Sequence, residues 1–557
     1  MTGEATRTAP IGIVGGGPVG MMLALFLARY GVRSALFNTE DHTRWHPKGN
    51  THNARTMEHY RRLGLSPAIR KMGLPYDHPT DVAYFTRYGD WEVARLRMPS
   101  EAERMAEVAA SERTHQVPEP IHRANQMYVE KFLYDRDKTT ALIENRFGRR
   151  ATTMAQDADG VALGAEPSDG GAGEAWRFQY LVGCDGGQSL VRRGLGIRYA
   201  GFENLQQEFM GGRMIATYLR LPTLIGGVIP YARRAWQYTG INPGHRNVLV
   251  TLDGGDGYLL FTRQPDPTIP PDDEEVKRAV WRTAGVELPV EVLGHRPWTA
   301  GVAVVAESFG AGRIMLAGDA AHLFTPTGGF GFNTGIDDTA NLSWKLWAMV
   351  EGWGGRELLG TYEPERRPIA VRNTTAAREL AIAVGTLPVT SHLEERSPAG
   401  EAARKALGDY LSSALGEEFA SIGVQLGARY DGSRIVAEDG APPPDDPAIY
   451  RPSSVPGGRA PHVWLDRGRG IGQSMFDRLG LGFTLLCVGR TLPDCGAFVD
   501  AARARRIPLD VLHLPDDEAR ELYQRDLALI RPDQHVAWRG NTLPDAPDRL
   551  LARVVGA

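Results

Sequence analysis

Short apolar runs, each followed at once by a glycine-containing turn, recur along the chain and predict buried strands that lead into helices. Three runs share this pattern: residues 11–14, 178–182 and 313–317. Glycine lets a ligand approach the backbone closely, and the start of a helix offers unpaired N–H groups and the positive end of its dipole. Each of these turns therefore predicts a binding site for a phosphate or oxyanion group.

The first turn, residues 15–20, fits G-x-G-x-x-G and precedes an apolar helix predicted for residues 21–30. A strand, this turn and a helix together form the dinucleotide fingerprint, with Gly15, Gly17 and Gly20 at the phosphate turn. The acid that usually binds ribose is absent from the end of the next strand, which finishes in Asn38. Either Asn38 or Glu40 can bind the hydroxyl, and the sequence leaves both alternatives open.

The third turn spans residues 318–335 and holds an unusual density of glycine, with a helix expected from about residue 337. Asp319, directly after Gly318, can accept hydrogen bonds from sugar hydroxyls, but its charge repels a phosphate. The turn therefore predicts one sugar-like partner and one oxyanion partner. The second turn repeats the pattern with Asp185, Gly186 and Arg192, and three such turns in one chain favour a single long ligand.

Two polar stretches add candidate cofactor contacts. Residues 42–59 carry four histidines, but they lack cysteine or carboxylate partners at ligand spacing, so we predict no metal site. Instead, Lys48 and Arg55 are expected to neutralise a pyrophosphate, with Asn50 near the reactive ring. Gln126 stands at a predicted helix start, where a helix cap and a cofactor contact are equally compatible with the sequence.

Elsewhere the periodicity predicts an α/β chain with a mainly β middle region and a small α/β unit after a proline-rich break at residues 441–447. Helices are expected at residues 53–63, 127–134, 496–505 and 517–526, a helical stretch at 362–427, and strand-like segments at 35–37, 82–108, 214–219, 247–252, 258–262, 483–488, 509–514 and 527–538.

Composition and charge argue against several classes of protein. The 557 residues have a formal charge of -4 with acids and bases interspersed, which argues against a nucleic-acid or membrane surface. Cys184, Cys487 and Cys495 lack C-x-x-C spacing, so neither a disulfide framework nor a zinc site is indicated. There is no secretion signal and no apolar run long enough to cross a bilayer, so we expect a cytoplasmic protein.

The ordered motifs resemble those of the class A flavoprotein aromatic hydroxylases, the family of p-hydroxybenzoate and phenol hydroxylases, and most closely the 2,4-dichlorophenol 6-monooxygenase group. The resemblance covers nearly the whole chain. It rests on the first glycine turn, on Asp185-Gly186 with Ser189 and Arg192, and on three further stretches: residues 318–335, 341–346 and 362–368. Any one of these motifs is weak, whereas the ordered set is highly specific.

This resemblance implies an organisation in three parts. A Rossmann-like FAD-binding domain is expected from residues 1–202 and 301–395, with a β-sheet substrate domain from residues 203–300 inserted into it. Parts of residues 75–110 should contribute to the substrate side. A helical segment and linker at 396–454 would lead to a thioredoxin-like C-terminal domain at 455–557, with a structural or homodimer-supporting role.

The resemblance also implies roles for individual residues. The first glycine turn would bind the FAD pyrophosphate and Asp319 the ribityl or pyrophosphate region, while the segment with Gly328, Gly331, Phe332 and Asn333 would lie by the isoalloxazine ring. Asp185 and Arg192 belong to an element associated with both FAD and transient NADPH or NADH. Lys48 and Gln126 match cofactor contacts, and Asn50 replaces an acid of phenol hydroxylase. Pro326 is implied as the acceptor, through its carbonyl, for a substrate hydroxyl.

The implied activity is hydroxylation of a phenol-like ring with O2 and NAD(P)H, in which reduced FAD activates oxygen as a C4a-hydroperoxide. Two alternatives are kept, a monooxygenase of a larger aromatic natural product and a non-catalytic FAD-binding protein. A flavin halogenase is disfavoured because residues 344–347 lack W-x-W-x-I-P. Four residues of the middle region are candidates for substrate contact, although strand aromatics are more often core: Arg213, Tyr218, Trp236 and Tyr238.

Overall fold

The structure, a computed structural model, describes residues 6–202, 213–264, 272–299, 302–385, 387–414, 420–465 and 468–557. The chain is a mixed α/β protein. Its helices are α1 Pro18–Arg29, α2 Ala54–Arg62, α3 Ser66–Ile69, α4 Glu101–Ala110, α5 Gln126–Thr139, α6 Leu190–Gly194, α7 Asp273–Ala284, α8 Phe330–Glu351, α9 Tyr362–Gly385, α10 Pro398–Ala414, α11 Ile422–Leu426, α12 Gly496–Ala504, α13 Asp517–Tyr523 and α14 Pro547–Val554.

The strands alternate with these helices along most of the chain. They are β1 Arg7–Val14, β2 Ser34–Asn38, β3 Thr51–His52, β4 Val82–Phe85, β5 Glu92–Leu96, β6 His122–Arg123, β7 Ile143–Phe147, β8 Arg149–Gln156, β9 Val161–Pro167, β10 Glu174–Gly183, β11 Tyr199–Phe202, β12 Arg213–Arg220, β13 Gln237–Asn242, β14 His245–Thr251, β15 Gly257–Arg263, β16 Glu291–Thr299, β17 Ala303–Ala306, β18 Gly310–Ala311, β19 Ile314–Leu316, β20 His322–Leu323, β21 Phe483–Cys487, β22 Leu509–His513, β23 Leu527–Ile530 and β24 Val536–Gly540.

The first sheet has the strand order β18-β19-β10-β1-β2-β7, with β9 beside β10 and β8 beside β9. β1 runs parallel to β2 and β10, and β10 runs parallel to β19. In this register Val14 lies opposite Gly183, and Gly183 lies opposite Leu316. The three glycine turns follow directly after these strand ends, so they meet at one edge of the sheet, as the Rossmann-like prediction requires.

The second sheet has the order β16-β12-β15-β14-β13-β4-β5 and is mainly antiparallel. One face packs with the apolar side of α7 through Val276 and Val280. The other face turns toward the first domain, where Ala216 and Leu259 pack with Met127 of α5. The predicted boundaries at residues 203 and 301 fall outside the described residues, and the division into domains stays a prediction.

Three elements differ from the sequence predictions. The segment 82–108 is not all strand-like, because residues from Glu101 onward form α4, which a capping box between Ser100 and Glu103 begins. The segment 527–538 is two antiparallel strands, β23 and β24, rather than one. Helix α8 begins at Phe330, several residues earlier than expected, so the last glycines of the third turn lie inside its first turns.

The C-terminal sheet has the order β22-β21-β23-β24, in which β21 is parallel to β22 and antiparallel to β23. Helices α12 and α14 pack against each other beside it. This is the thioredoxin-like arrangement expected from the sequence. Within the described ranges, no helix is long and apolar enough to cross a membrane.

Buried ion pairs join this domain to the first one. Arg459 donates to both carboxylate oxygens of Glu58, and both side chains are almost completely buried. Arg531 similarly pairs with Glu365, which also accepts from Lys345. Burial by itself would raise the pKa of Glu365, but Arg531 and Lys345 lower it to about 2. The two domains are therefore held together by ion pairs that are buried from water.

Removing one member of such a pair should be costly, because the partner charge stays buried. We expect Arg459→Met to lower the free energy of unfolding by about 3 kcal/mol, measured by urea denaturation. The control is Arg490→Met, because Arg490 pairs with Asp517 where both side chains are mostly exposed, and this variant should leave the denaturation midpoint unchanged. Equal midpoints for both variants would contradict a stabilising role for the buried pair.

Candidate active site

The first glycine turn is shaped by close backbone contacts. Gly15 has φ +113°, and a Cβ there would lie 2.2 Å from the carbonyl oxygen of Cys184, at the end of β10. A Cβ on Gly20 would lie 2.0 Å from the carbonyl oxygen of Gly15. Gly17 is different, because it is the N-cap of α1 and a Cβ there would meet no protein atom within 4 Å. Gly15 and Gly20 thus build the turn, and Gly17 leaves its outer side open for a ligand.

Asn38 holds this turn from the end of β2. Its Oδ1 accepts from the backbone N–H of Gly16 at 3.1 Å, and its Nδ2 donates to the carbonyl of Glu40 at 3.0 Å. The side chain of Asn38 is therefore engaged with the protein backbone. The contact of Asn38 or Glu40 with a ribose hydroxyl stays a prediction.

The second turn presents Asp185 and Arg192. Burial raises the pKa of Asp185, whose Oδ2 accepts from the backbone N–H of Val191 at 3.2 Å. Its Oδ1 is buried and has no hydrogen-bond partner among the described residues. Arg192 donates to the carbonyls of Gly187 and Ile197 at 3.2 and 2.9 Å. A buried carboxylate oxygen without a donor suits a ligand hydroxyl.

Tyr199 connects the second turn to the third. The guanidinium of Arg192 lies 3.9 Å from the centre of its ring, and its hydroxyl donates to the carbonyl of Asp319 at 2.6 Å. Burial raises the pKa of Tyr199 to about 12, so the hydroxyl keeps its proton at neutral pH. No sequence motif pointed to Tyr199, which lies in β11, shortly after the second turn but far along the chain from the third.

In the third turn, Gly318 has φ +62° and Asp319 extends from the end of β19. The Nζ of Lys48 lies 3.4 Å from the Oδ2 of Asp319, so the predicted cofactor base and the sugar-binding acid are brought together. Arg55 is not with them. It is buried at the domain interface, where it donates to Glu58 and to Gln534, and its predicted contact with pyrophosphate was wrong.

Asn333 ties the start of α8 to the polar segment before α2. Its Oδ1 accepts from the N–H of Asn53 at 2.9 Å, and its Nδ2 donates to the carbonyls of Thr51 and Gly329 at 3.0 and 2.7 Å. Phe332 meets the ring of His52 edge-on, with the ring centroids 5.1 Å apart. Burial lowers the pKa of His52 to about 3, so this histidine is neutral.

Gly328 and Gly331 sit beside phenylalanine rings. A Cβ on Gly328 would lie 2.6 Å from the ring of Phe330, and one on Gly331 would lie 3.2 Å from the ring of Phe324. The carbonyl of Pro326 accepts from the N–H of Gly329 at 3.1 Å and keeps a second lone pair for another donor.

Asn50 and Gln126 come together beside this segment. The Nδ2 of Asn125 donates to the Oδ1 of Asn50 at 2.6 Å, and the backbone N–H of Gln126 donates to the carbonyl of Gly49 at 2.7 Å. The side-chain amide of Gln126 donates to Glu130. Asn125, rather than Gln126, is the N-cap of α5. Gln126 therefore supports the loop that carries Lys48 and Asn50.

The four substrate candidates are divided between the two faces and an edge of the second sheet. Tyr218 lies on the face toward α5, near Met127. Tyr238 is buried on the opposite face with the residues of α7, and its hydroxyl accepts from the N–H of Ala235 at 2.7 Å. Arg213 is the exposed first residue of β12. The placement thus does not support Tyr238 or Arg213 as pocket residues.

Trp236 lies under a residue that the sequence analysis did not single out. The guanidinium of Arg123 is buried and lies 3.9 Å from the centre of a Trp236 ring, and its Nη1 donates to the hydroxyl of Thr51. Thr51 in turn accepts from Asn333, so this stack reaches the start of α8. The only signal in the sequence was that Arg123 precedes the cap of α5 by two residues.

These features fit FAD. The open side of Gly17 at a helix start suits a pyrophosphate, and Asp185 offers a buried acceptor for a hydroxyl. Asp319 and Lys48 lie at the same edge. Within the part of the chain that the structure describes, no three histidine, cysteine or acidic side chains converge as metal ligands.

Comparison with known proteins agrees with this geometry. Residues 8–377 match the family model described as "FAD binding domain", and residues 453–557 match "Aromatic-ring hydroxylase, C-terminal". The FAD-dependent monooxygenase apdD of Emericella nidulans is 31% identical, over 100% of this chain and 92% of its own length. A putative polyketide hydroxylase of Streptomyces halstedii is 31% identical, over 96% and 94%.

Solved structures agree as well. The rebeccamycin biosynthetic enzyme RebC, soaked with chromopyrrolic acid and holding 7-carboxy-K252c, has 34% identity and a TM-score of 0.88, covering 99% of this chain and 100% of its own. The fold and the site define an FAD-dependent oxidoreductase. The chain belongs to the class A flavin monooxygenases, whose members carry this FAD-binding domain, and it is an FAD-dependent aromatic hydroxylase.

The openness of Gly17 gives a direct test of the pyrophosphate site. Gly17→Ala should fold normally, because the new methyl group meets no protein atom, yet its FAD content should fall at least tenfold because the methyl group blocks the ligand. Bound flavin is measured by absorbance after gel filtration. The control, Gly360→Ala, also adds a methyl group without a protein contact and should keep its FAD. Full FAD in Gly17→Ala would place the pyrophosphate elsewhere.

Proposed function

We propose that this enzyme hydroxylates a phenol-like ring held between the α5-facing side of the second sheet and the start of α8, using O2 and NAD(P)H. The observation that carries this is the chain of contacts from Trp236 through Arg123 and Thr51 to Asn333. These contacts join Trp236, an aromatic side chain next to β13 of the second sheet, to Asn333, in the segment expected beside the isoalloxazine ring. A flat substrate between the two would lie against the flavin.

The residues of the chain have distinct tasks in this proposal. The first glycine turn binds the pyrophosphate through its backbone, and Asp319 accepts hydrogen bonds from the ribityl chain. When bound, FAD supplies the activation of oxygen for transfer to the ring. The apolar side chains of the sheet, Leu259 and Phe261 among them, exclude water from the ring.

Ring activation is assigned to the backbone of Pro326. Its carbonyl already accepts from Gly329 and retains a second lone pair. A hydrogen bond from the substrate hydroxyl to this oxygen would increase electron density on the ring, which favours attack by an electrophilic oxygen. Because the acceptor is a backbone atom, the proposal predicts no ionisable side chain in this role.

A second candidate substrate is a larger aromatic natural product. It is favoured by relatives that match this chain along its length, one described as a polyketide hydroxylase and another as a rebeccamycin biosynthetic enzyme. NADH and NADPH are both retained as the transient donor, with Asp185 and Arg192 as its proposed contacts. A homodimer and a cytoplasmic location remain predictions.

The activity and substrate are tested together. The purified flavoprotein should oxidise NAD(P)H faster with its substrate than without it, and the product should gain the mass of one oxygen. The panel contains simple phenols, chlorophenols, hydroxypyridines and polycyclic phenolic polyketides, with NADH and NADPH compared. Stimulation by the simple phenols supports the first candidate, and stimulation by polycyclic compounds alone supports the second. Failure of every compound to stimulate oxidation would contradict the proposal.

Asn50 is predicted to affect the use of oxygen rather than the binding of FAD. Asn50→Ala loses the hydrogen bond with Asn125 near the segment expected beside the isoalloxazine ring, so it should keep its FAD but release more hydrogen peroxide per NAD(P)H oxidised. Peroxide and product are measured in the same reaction. Asn541→Ala, at an exposed position, is the control. Unchanged coupling in Asn50→Ala would remove Asn50 from the mechanism.

A further inference from the structure

A fully buried carboxylate lies directly behind the third glycine turn. Asp338, on α8, accepts with Oδ2 from the backbone N–H of Gly318 at 3.1 Å and from Nε2 of His322 at 2.7 Å. Its Oδ1 accepts from Nε of Arg366, on α9, at 2.8 Å. The side chains of Asp338, His322 and Arg366 have no exposed surface. One oxygen therefore holds both ends of the five-residue segment that contains Asp319.

The contact fixes a backbone that would otherwise have other choices. Gly318 has φ +62°, a conformation that glycine adopts readily but does not require. Helix α8 also presses against this residue, because a Cβ on Gly335 would lie 3.0 Å from the Cα of Gly318. Asp338 lies one turn further along the same helix. The position of the turn is thus set by the same helix whose first residues are expected beside the isoalloxazine ring.

We propose that Asp338 is a positioning residue for FAD, which sets the direction of the Asp319 carboxylate by holding Gly318 and His322. Asp338 makes no contact with the cofactor itself. Arg366 compensates its charge, so a carboxylate can be kept in a place without water. Through Asp338, the ion pair between α8 and α9 supports the position of the third glycine turn.

The neighbouring Asp337 provides a matched comparison. It is also buried and also pairs with Arg366, and its Oδ1 accepts from Nε2 of His59 at 2.9 Å. Burial alone would raise the pKa of Asp337, but Arg366 and His59 bring it well below its usual range. Its hydrogen bonds reach α2 and α9 and do not reach the turn. A loss of charge at Asp337 tests burial and stability without moving Asp319.

The experiment compares Asp338→Asn with Asp337→Asn. Both variants lose one buried charge, so the thermal stability of both apoproteins should fall. Only Asp338→Asn should raise the Kd for FAD at least tenfold and change the visible absorption spectrum of the bound flavin, because its amide has one acceptor oxygen and cannot accept from Gly318 and His322 on one side and from Arg366 on the other. Asp337→Asn should keep the Kd within twofold and the spectrum unchanged. Asp319→Ala, which removes the carboxylate itself, sets the scale for complete loss.

Binding is measured on folded apoprotein by quenching of FAD fluorescence, well below the melting temperature. If Asp338→Asn does not fold, His322→Asn serves in its place, since it removes one of the two contacts to the turn and should raise the Kd by a smaller factor. An unchanged Kd and spectrum in the folded variant would overturn the proposal, as would an equal rise in Kd for Asp337→Asn.

Discussion

The parallel register of β1, β10 and β19 is the constraint on which the rest of the site depends. Because parallel strands end at the same edge, three turns that are far apart in sequence form one continuous surface for one long ligand. No turn makes this surface by itself. Tyr199 and Lys48, which lie outside the three turns, both reach Asp319 at that edge.

Helix α8 serves two functions through its two halves. Its first residues belong to the segment predicted to lie beside the isoalloxazine ring, and there Asn333 binds the backbone of Thr51. Its middle carries Asp337, Asp338 and Lys345, whose charges are neutralised by Arg366 and Glu365 of α9. Buried ion pairs are costly to break, because separating them leaves a charge buried without a partner. They are therefore well suited to hold a cofactor site in one geometry.

In the second sheet, the alternation of side chains along each strand decides which residues share an environment. Successive side chains on a strand face opposite sides, so residues near each other in sequence can have unrelated environments. Tyr238 belongs to the core with α7, whereas Tyr218 faces α5. Both residues are tyrosines, so residue type alone could not show that they lie on opposite faces. The strand register and the helix packed on each face distinguish them.

The sequence by itself determined the glycine turns, the family, FAD as the cofactor and most of the helices and strands, because these depend on local spacing and backbone chemistry. Only the tertiary structure decided that α8 begins at Phe330, that Arg55 belongs to the domain interface, and that Arg123 stacks on Trp236. The contacts of Tyr199 and Asp338 were decided there too. The partners of these two residues lie many positions away along the chain. Only packing brings them within hydrogen-bond distance of the Tyr199 hydroxyl and the Asp338 carboxylate.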